Sequence, residues 1–523
     1  MTIADAGGPD VEAEVRAAVD RYERALAADD LPELDALFAP GPTTLRADAG
    51  GVLVSHEAIS EYRRDRGGAP ARTVTAVHVV VHGPDLATAV AETLRPDGTR
   101  GLQTQVWERG AVHWQVRVAH VSSGPQPLEP ITDPATWRVL GSPLVAPTGR
   151  GPLDGTAVAV KDLIAVAGQR VGSGNPVALA QARPEPAHAP TLAALLAAGA
   201  HVRGIAATDE LAYSISGTNV HTGSPVNPWD PTRVVGGSTS GPASAVARGQ
   251  ADLGLGTDTA GSIRVPASWC GLHGLRPTHG ALSLDGVRPL APSFDTVGWL
   301  SRDADLLHRV AQVLLPAAAS ITELVLAQDQ LDLAEPAEAD ALLGAARELA
   351  AASGLPLRSV RLTEPDEQQA WFTAFRTVQG AEAWAAHGAW VTAHPGVLGP
   401  GIAQRFADAA AVIPGEEAAA REVLDGARAQ LRARIGPGVA VLAPATSTTG
   451  PRLEATTAEK AALRAATLRL TCLAGVGGVP SAVAPAALVD GLPVGLALLG
   501  APGSDTALTA LLAAWGRTPV PPG

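Results

Sequence analysis

The chain runs to 523 residues, beyond the size at which single hydrophobic cores stop growing, so two domains are the expectation. Hydrophobic residues make up 46% and charged residues 17%, a composition that excludes a disordered chain. A formal net charge of −13 argues against nucleic acid as the main partner, because phosphate recognition relies on clustered Lys and Arg.

The amino terminus, MTIADAGGPDVEAEV, is acidic and lacks the charged, then apolar, pattern of a secretory signal. Later apolar runs are broken by Gly, Pro and charge, so a cytoplasmic protein without a membrane span is expected. Residues 11 to 38 place Val11, Val15, Ala18, Tyr22 and Leu26 at helical spacing and predict an opening helix. TVTAVHVVVHG, DLATAVAET, LQTQVWER and AVHWQVRVAHVSS then predict strands, with Val112, Trp114, Val116 and Val118 on one face of the last. Together these make a small α+β domain over residues 1–123. The Pro- and Gly-rich stretch 124–150 shows no sustained period and reads as a linker or wrapped arm. Over residues 151–523, short apolar runs alternate with helical segments such as PTLAALLAAGA and TALTALLAAW, which predicts an α/β domain.

AVAVKDLIAV, residues 157–166, holds Lys161. Of 39 Lys and Arg side chains only Lys161 and Lys460 are lysine. Guanidinium stays protonated at any workable pH, whereas a buried ammonium can lose its proton, so Lys161 is a candidate base. An ion pair with Asp162 is the alternative.

From Val234 the chain reads VVGGSTSGPASAVARGQADLGLGTDTAGSIRVPASWCGLHGLRPTHG. Two Gly-Ser clusters, 236–241 and 257–262, are joined by a predicted helix and an apolar strand. Three readings compete: a phosphate cradle, for which the GxxxxGK[ST] pattern is absent; a set of turns; and a serine nucleophile with its oxyanion hole. No GxSxG elbow is evident, and His221, His273 and His279 read as loop or packing residues; a neutral lysine could take the base's role instead. Cys270 and Cys472 stand in no zinc or redox spacing and read as buried free thiols. With no HExxH, CxxC or EF-hand pattern, neither metal nor cofactor is expected.

GTAVAVKDLIAVAG, GGSTSG, GLGTDTAGSIRVPASWCGLHGLRPTHG and PLAPSFDTVGWL, with the late VLAPAT and GLPVGLALLGAPGSD segments, resemble the amidase signature family. The resemblance implies an α/β amidase-signature fold, a mixed central sheet flanked by helices. It also implies hydrolysis of a carboxamide C–N bond through a serine acyl-enzyme, with release of ammonia or an amine. Carried over position by position, it makes Ser262 the nucleophile, Ser238 the bridging cis-serine and Lys161 the base. Thr259, Ala260 and Gly261, with Ser262, would supply oxyanion-hole N–H groups, and Asp258, Arg264 and Thr239 would hold the nucleophile loop. Ala260 stands where relatives often carry glycine, which leaves the size of the acyl pocket open, and Ile205 stands where many carry lysine. The loop SGTNVHTGSPVNPW and the region of Trp269 are expected to build that pocket.

Residues 1–123 resemble the nuclear-transport-factor-2-like (NTF2-like) or SnoaL-like superfamily of small α+β cones, and in particular domains associated with bacterial cyanuric acid and biuret breakdown. GGVLVSHEAISEYRRDRGG and GLQTQVWERGAVHWQVRVAHVSS carry this resemblance. It implies a pocket lined by Tyr22, Arg46, Arg63 and Trp107, with arginine binding a carboxylate. A dimerising or covering role for the domain is the other reading. The expected partner is a small-molecule amide, with no nucleic acid and no membrane, and a homodimer rests on family resemblance alone. Urea-type compounds of the allophanate or carboxybiuret class are an alternative substrate. A binding or scaffold protein without turnover is the alternative of another class, against which the complete Lys161, Ser238 and Ser262 set speaks.

Overall fold

The structure is a computed structural model that describes residues 9–48, 51–66, 69, 71–95, 100–123 and 129–516. The chain divides into two compact units, Met1–Leu128 and Glu129–Gly523. No helix among the described residues is long and apolar enough to cross a membrane.

In the first unit, the helices α1 (Pro9–Ala27), α2 (Leu31–Ala36) and α3 (His56–Arg66) share an apolar core with a six-stranded sheet. Its strands are β1 (Leu45–Asp48), β2 (Gly51–Val54), β3 (Thr73–Gly83), β4 (Leu86–Leu94), β5 (Arg100–Arg109) and β6 (Trp114–Ser123), ordered β2-β1-β6-β5-β4-β3. The single helix expected over 11–38 is two helices. Asp29 turns the chain with φ 52°, Asp30 caps α2 by accepting from the Glu33 N–H at 3.2 Å, and Pro32 sits in the first turn of α2. The face expected along β6 is corrected at both ends. Val112 lies outside the strand and is 90% exposed, and a bulge at Arg117 turns Ala119, rather than Val118, into the core.

The second unit is built on eleven strands. They are β7 (Trp137–Val145), β8 (Ala157–Lys161), β9 (His201–Ala206), β10 (Leu253–Asp258), β11 (His273–Arg276) and β12 (Thr296–Ser301). They continue as β13 (Glu323–Ala327), β14 (Leu357–Val360), β15 (Val439–Pro444), β16 (Ser481–Val489) and β17 (Leu492–Gly500). The order is β14-β13-β15-β17-β16-β11-β12-β10-β8-β9-β7, with parallel and antiparallel pairs mixed. Along β15, Val441 and Ala443 enter one apolar core while Ala440 and Leu442 enter another, so helices bury the sheet on both faces. This is the mixed, helix-flanked sheet that the sequence implies.

The stretch 124–150 is not wholly an arm. Residues 124–128 lie outside the described residues, but Trp137–Val145 is the edge strand β7, paired with β9. Trp137 is buried and donates from Nε1 to Gln250 at 2.7 Å. Gly141, Pro143 and a break in register between Leu140 and Val145 mask its alternation in the sequence, as edge strands allow.

What positions the site is the parallel pairing of β8 with β10, which sets the last residues of two distant segments side by side at one edge of the sheet. The carboxyl ends of parallel strands are where α/β proteins bind ligands. A methyl group on Gly204 of β9 would run into the Val139 carbonyl oxygen of β7. Gly204→Ala is therefore expected to cost about 1–3 kcal/mol, read as a lower denaturant midpoint; an unchanged midpoint would mean that β7 is not held against β9.

Candidate active site

Lys161 ends β8 and is fully buried. Its Nζ donates to Ser238 Oγ and to Thr257 Oγ1, each at 2.8 Å, and Ser238 Oγ donates to Ser262 Oγ at 3.0 Å. Three side chains scattered over a hundred positions thus form one hydrogen-bonded line. The Gly237–Ser238 peptide bond is cis. The alternative partner for Lys161 is taken elsewhere, since Asp162 pairs with Arg138 at 2.9 Å and accepts from the Gly172 N–H at 3.0 Å.

Burial pushes the Lys161 amine down to about 7, against the opposing pull of Asp209, Asp258 and Asp295. Near neutrality it therefore exists in both forms, which is what a proton acceptor needs.

Asp258, the last residue of β10, holds the loop that carries Ser262. It accepts from the N–H groups of Gly261 at 3.0 Å and Ile263 at 3.1 Å, from Arg264 Nη2 at 2.7 Å, and from Arg276 Nη1 at 3.1 Å. Burial alone would raise this carboxyl, yet the two guanidinium groups hold it well below its ordinary value. Arg264 also donates to the Thr471 carbonyl at 2.7 Å, and Thr471 Oγ1 donates to the Ala260 carbonyl at 2.6 Å. Gly261 has φ 120°, and a Cβ there would press on Thr471, so this position requires glycine. Thr259 Oγ1 donates to Asp295 at 2.5 Å, and Thr239 Oγ1 donates to the Thr257 carbonyl at 3.2 Å.

The Gly261 N–H is bonded to Asp258. Among the described residues, the N–H groups of Thr259, Ala260 and Ser262 have no hydrogen-bond partner and remain available.

Thr257, Asp209, Asp295 and Arg276 escape a reading of the sequence by type and spacing. Asp209 accepts from Ser240 Oγ and the Gly217 N–H, each at 2.9 Å, and burial raises its carboxyl. Arg276 bonds the carbonyls of Asp258 at 2.8 Å and Phe294 at 2.8 Å. The available signal was position: Thr257, Asp295 and Arg276 lie inside the segments that carry the family resemblance. Trp269 is buried and bonded to the Thr448 carbonyl at 2.9 Å, Trp371 is buried, and Trp384 and Trp390 pack around Tyr213 and Phe406. Cys270 and Cys472 are buried free thiols.

In the first unit Tyr22, Arg46, Arg63 and Trp107 are all buried. Arg46 is paired with Asp48 at 2.7 Å, and the Arg63 guanidinium lies over the Phe38 ring at 4.0 Å while donating to the Leu34 carbonyl at 3.0 Å. Gln103, Gln105 and Trp107 alternate on β5 and share one side of the sheet, opposite the small Ala91, Ala89 and Ala87 of β4. Among the described residues, Gln103 Nε2, Gln105 Nε2, Trp107 Nε1 and Arg63 Nη2 are buried donors without an acceptor.

A family model described as Amidase matches residues 145–349, and one described as AtzH-like matches residues 4–126. Amidase 1 of Arabidopsis thaliana is 34% identical over 407 residues, which cover 72% of this chain and 96% of that protein. A solved amidase crystal structure is similar with a TM-score of 0.63 at 29% identity, covering 70% of this chain and 85% of its own. A chain from a vestigial protein complex, described as revealing the evolutionary origins of an s-triazine catabolic enzyme, gives a TM-score of 0.63 at 27% identity, covering 71% of this chain and 86% of that one.

Removing one of its two guanidinium partners leaves the buried Asp258 carboxylate only partly neutralised. Arg276→Met, which strips Asp258 and three carbonyls of a shared donor, is expected to cost about 3–5 kcal/mol in chemical unfolding. An unchanged midpoint would mean that Arg264 alone suffices.

Proposed function

The chain belongs to the amidase signature family and opens with an AtzH-like domain, and from that premise we propose that it hydrolyses a carboxamide C–N bond through a serine acyl-enzyme. The observation that carries this reading is the unbroken line from Lys161 Nζ through Ser238 Oγ to Ser262 Oγ, with steps of 2.8 and 3.0 Å. Neutral Lys161 takes the Ser238 proton as Ser238 takes that of Ser262, and Ser262 Oγ attacks the amide carbonyl carbon. The oxyanion is met by the N–H groups of Thr259, Ala260 and Ser262. The intermediate collapses with cleavage of the C–N bond, and the leaving nitrogen receives the proton back through Ser238. Water then attacks the acyl ester by the same relay, releasing a carboxylic acid and restoring Ser262.

Asp209, Asp258 and Asp295 stabilise the ammonium that forms on Lys161 during attack. Arginine in this place would hold its proton and leave the relay without an acceptor.

A narrower substrate class, urea-type compounds such as allophanate or carboxybiuret, is favoured by the first unit. Its four orphaned donors suit a ligand rich in carbonyl and carboxylate oxygens, with Tyr22, Arg46, Arg63 and Trp107 around it.

Ser262→Ala and Lys161→Arg are each expected to lower the turnover number for ammonia release at least about 10³-fold with the fold retained by circular dichroism. Because the neutral amine is the active form, kcat/KM for an uncharged amide should rise with pH through an apparent pKa of about 7 and fall away below it. Near-normal turnover in Lys161→Arg, or a profile flat through neutrality, would overturn the assignment. In full-length Ser262→Ala, calorimetry should detect binding of a carboxylated urea, one component of which Arg63→Met removes; binding indifferent to Arg63 would remove the first unit from substrate handling.

A further inference from the structure

The turn 289–295 ends in a carboxylate that reaches both the nucleophile loop and Lys161. Asp295 accepts from Thr259 Oγ1 at 2.5 Å and from the N–H groups of Leu290 at 2.9 Å and Ala291 at 3.0 Å. Burial pushes this carboxyl up, while those donors and the charge of Arg276 favour its ionised form. With Asp209 and Asp258, Asp295 pulls the Lys161 amine toward the ammonium. Its position and its charge therefore bear on the site at two points.

Side chains from outside the turn hold it. His387, on the helix Pro365–Ala393, bonds the Pro289 carbonyl through Nε2 at 2.7 Å. A carbonyl only accepts, so Nε2 carries the hydrogen whether the ring is neutral or charged. Earlier on the same helix, Glu382 accepts from the Ser293 N–H at 2.9 Å and is paired with Arg421 at 2.8 Å. His279 bonds the Pro292 carbonyl at 2.9 Å, and Phe375 packs on Phe294 with ring centroids 4.6 Å apart.

The contact from His387 bears directly on Asp295. The Pro289 carbonyl and the Leu290 N–H belong to one trans peptide, a rigid plane in which the two groups point in opposite directions. The imidazole takes one end of that plane and the Asp295 carboxylate takes the other. A donor on the carbonyl fixes the rotation of the plane and polarises its N–H, which strengthens the bond to the carboxylate. The ring is itself set with its edge against Phe406, centroids 5.9 Å apart. Burial pushes the His387 imidazole down toward its neutral form, and the Asp295 charge acts the other way.

We propose that His387 is a positioning residue for the active site, holding Asp295 through the Pro289–Leu290 peptide and thereby setting the basicity of Lys161 and the aim of the Thr259 N–H. Its part in turnover rests on the hydrolytic reading above; its effect on Lys161 does not. Without the imidazole the peptide is free to turn, Asp295 loses a donor and with it part of its charge, and the pull on the ammonium weakens. Lys161 then releases its proton at lower pH.

Only two lysines, Lys161 and Lys460, occur in the chain, so the full-length protein labelled with carbon-13 at lysine Cε gives two lysine signals in a magnetic-resonance titration. Lys460, whose Nζ bonds the Leu453 carbonyl at 2.7 Å, is the internal reference and is assigned by Lys460→Arg. The Lys161 signal should titrate with a midpoint of about 7. His387→Phe should move that midpoint to lower pH by roughly half a pH unit and leave Lys460 in place. His387→Leu should do the same without a second ring beside Phe406, and His387→Gln, whose amide can donate to the same carbonyl, should restore the midpoint. In turnover of an uncharged amide, His387→Phe should lower kcat about tenfold with KM held within about twofold. The acid limb of its pH profile should move with the lysine signal. A Lys161 midpoint that stays in place, that rises, or that His387→Gln does not restore would overturn the proposal. A midpoint that moves as expected in a protein that hydrolyses no amide would leave the positioning role standing and remove the hydrolytic reading. Wild-type hydrolysis with a midpoint indifferent to His387 would do the reverse.

Discussion

Asp258 is sealed from water and yet kept ionised by two guanidinium groups, and on that carboxylate the geometry around it depends. Its oxygens take N–H groups from the loop that follows it, so the loop cannot relax without stranding a buried charge. The path of the loop in turn decides which amides remain unpaired. Gly261 is engaged in holding the turn, and the N–H groups of Thr259, Ala260 and Ser262 stay unpaired beside it.

The same carboxylate acts across space on Lys161. Burial drives the amine toward neutrality while Asp209, Asp258 and Asp295 pull the other way, so its protonation is set by opposed effects. This balance requires a dry site. It is supplied by a sheet covered on both faces, in which β8 and β10 run in parallel and deliver Lys161 and Asp258 to the same end.

Much of this was legible in the sequence where local chemistry is singular. A buried-looking lysine in an arginine-using chain stands out because few structural demands call for it, and the paired Gly-Ser clusters gained meaning beside it. The α/β architecture followed from the alternation of short apolar runs with helical segments, while a mixed sheet was implied by the family resemblance. What stayed hidden depends on contacts between distant segments. β7 carries Gly141 and Pro143 and is stabilised by β9 rather than by its own pattern. The bulge at Arg117 inverts a face that strict alternation would predict. That Gly261 bonds a side chain depends on one φ value, and the bond from His387 to the Pro289 carbonyl starts from a helix that carries no motif.

The buried amine of Lys161 also couples folding to proton release. In an unfolded chain this lysine holds its proton up to its ordinary value of 10.5, whereas in the folded protein it lets go at about 7. Between those values the unfolded chain binds the extra proton, so the penalty on the fold grows as pH falls from 10.5 toward 7 and is complete below it. The group proposed as the base is therefore one whose burial works against the stability of the fold. At neutral pH the rest of the molecule, its two apolar cores above all, must carry a permanent trade-off between durability and chemistry.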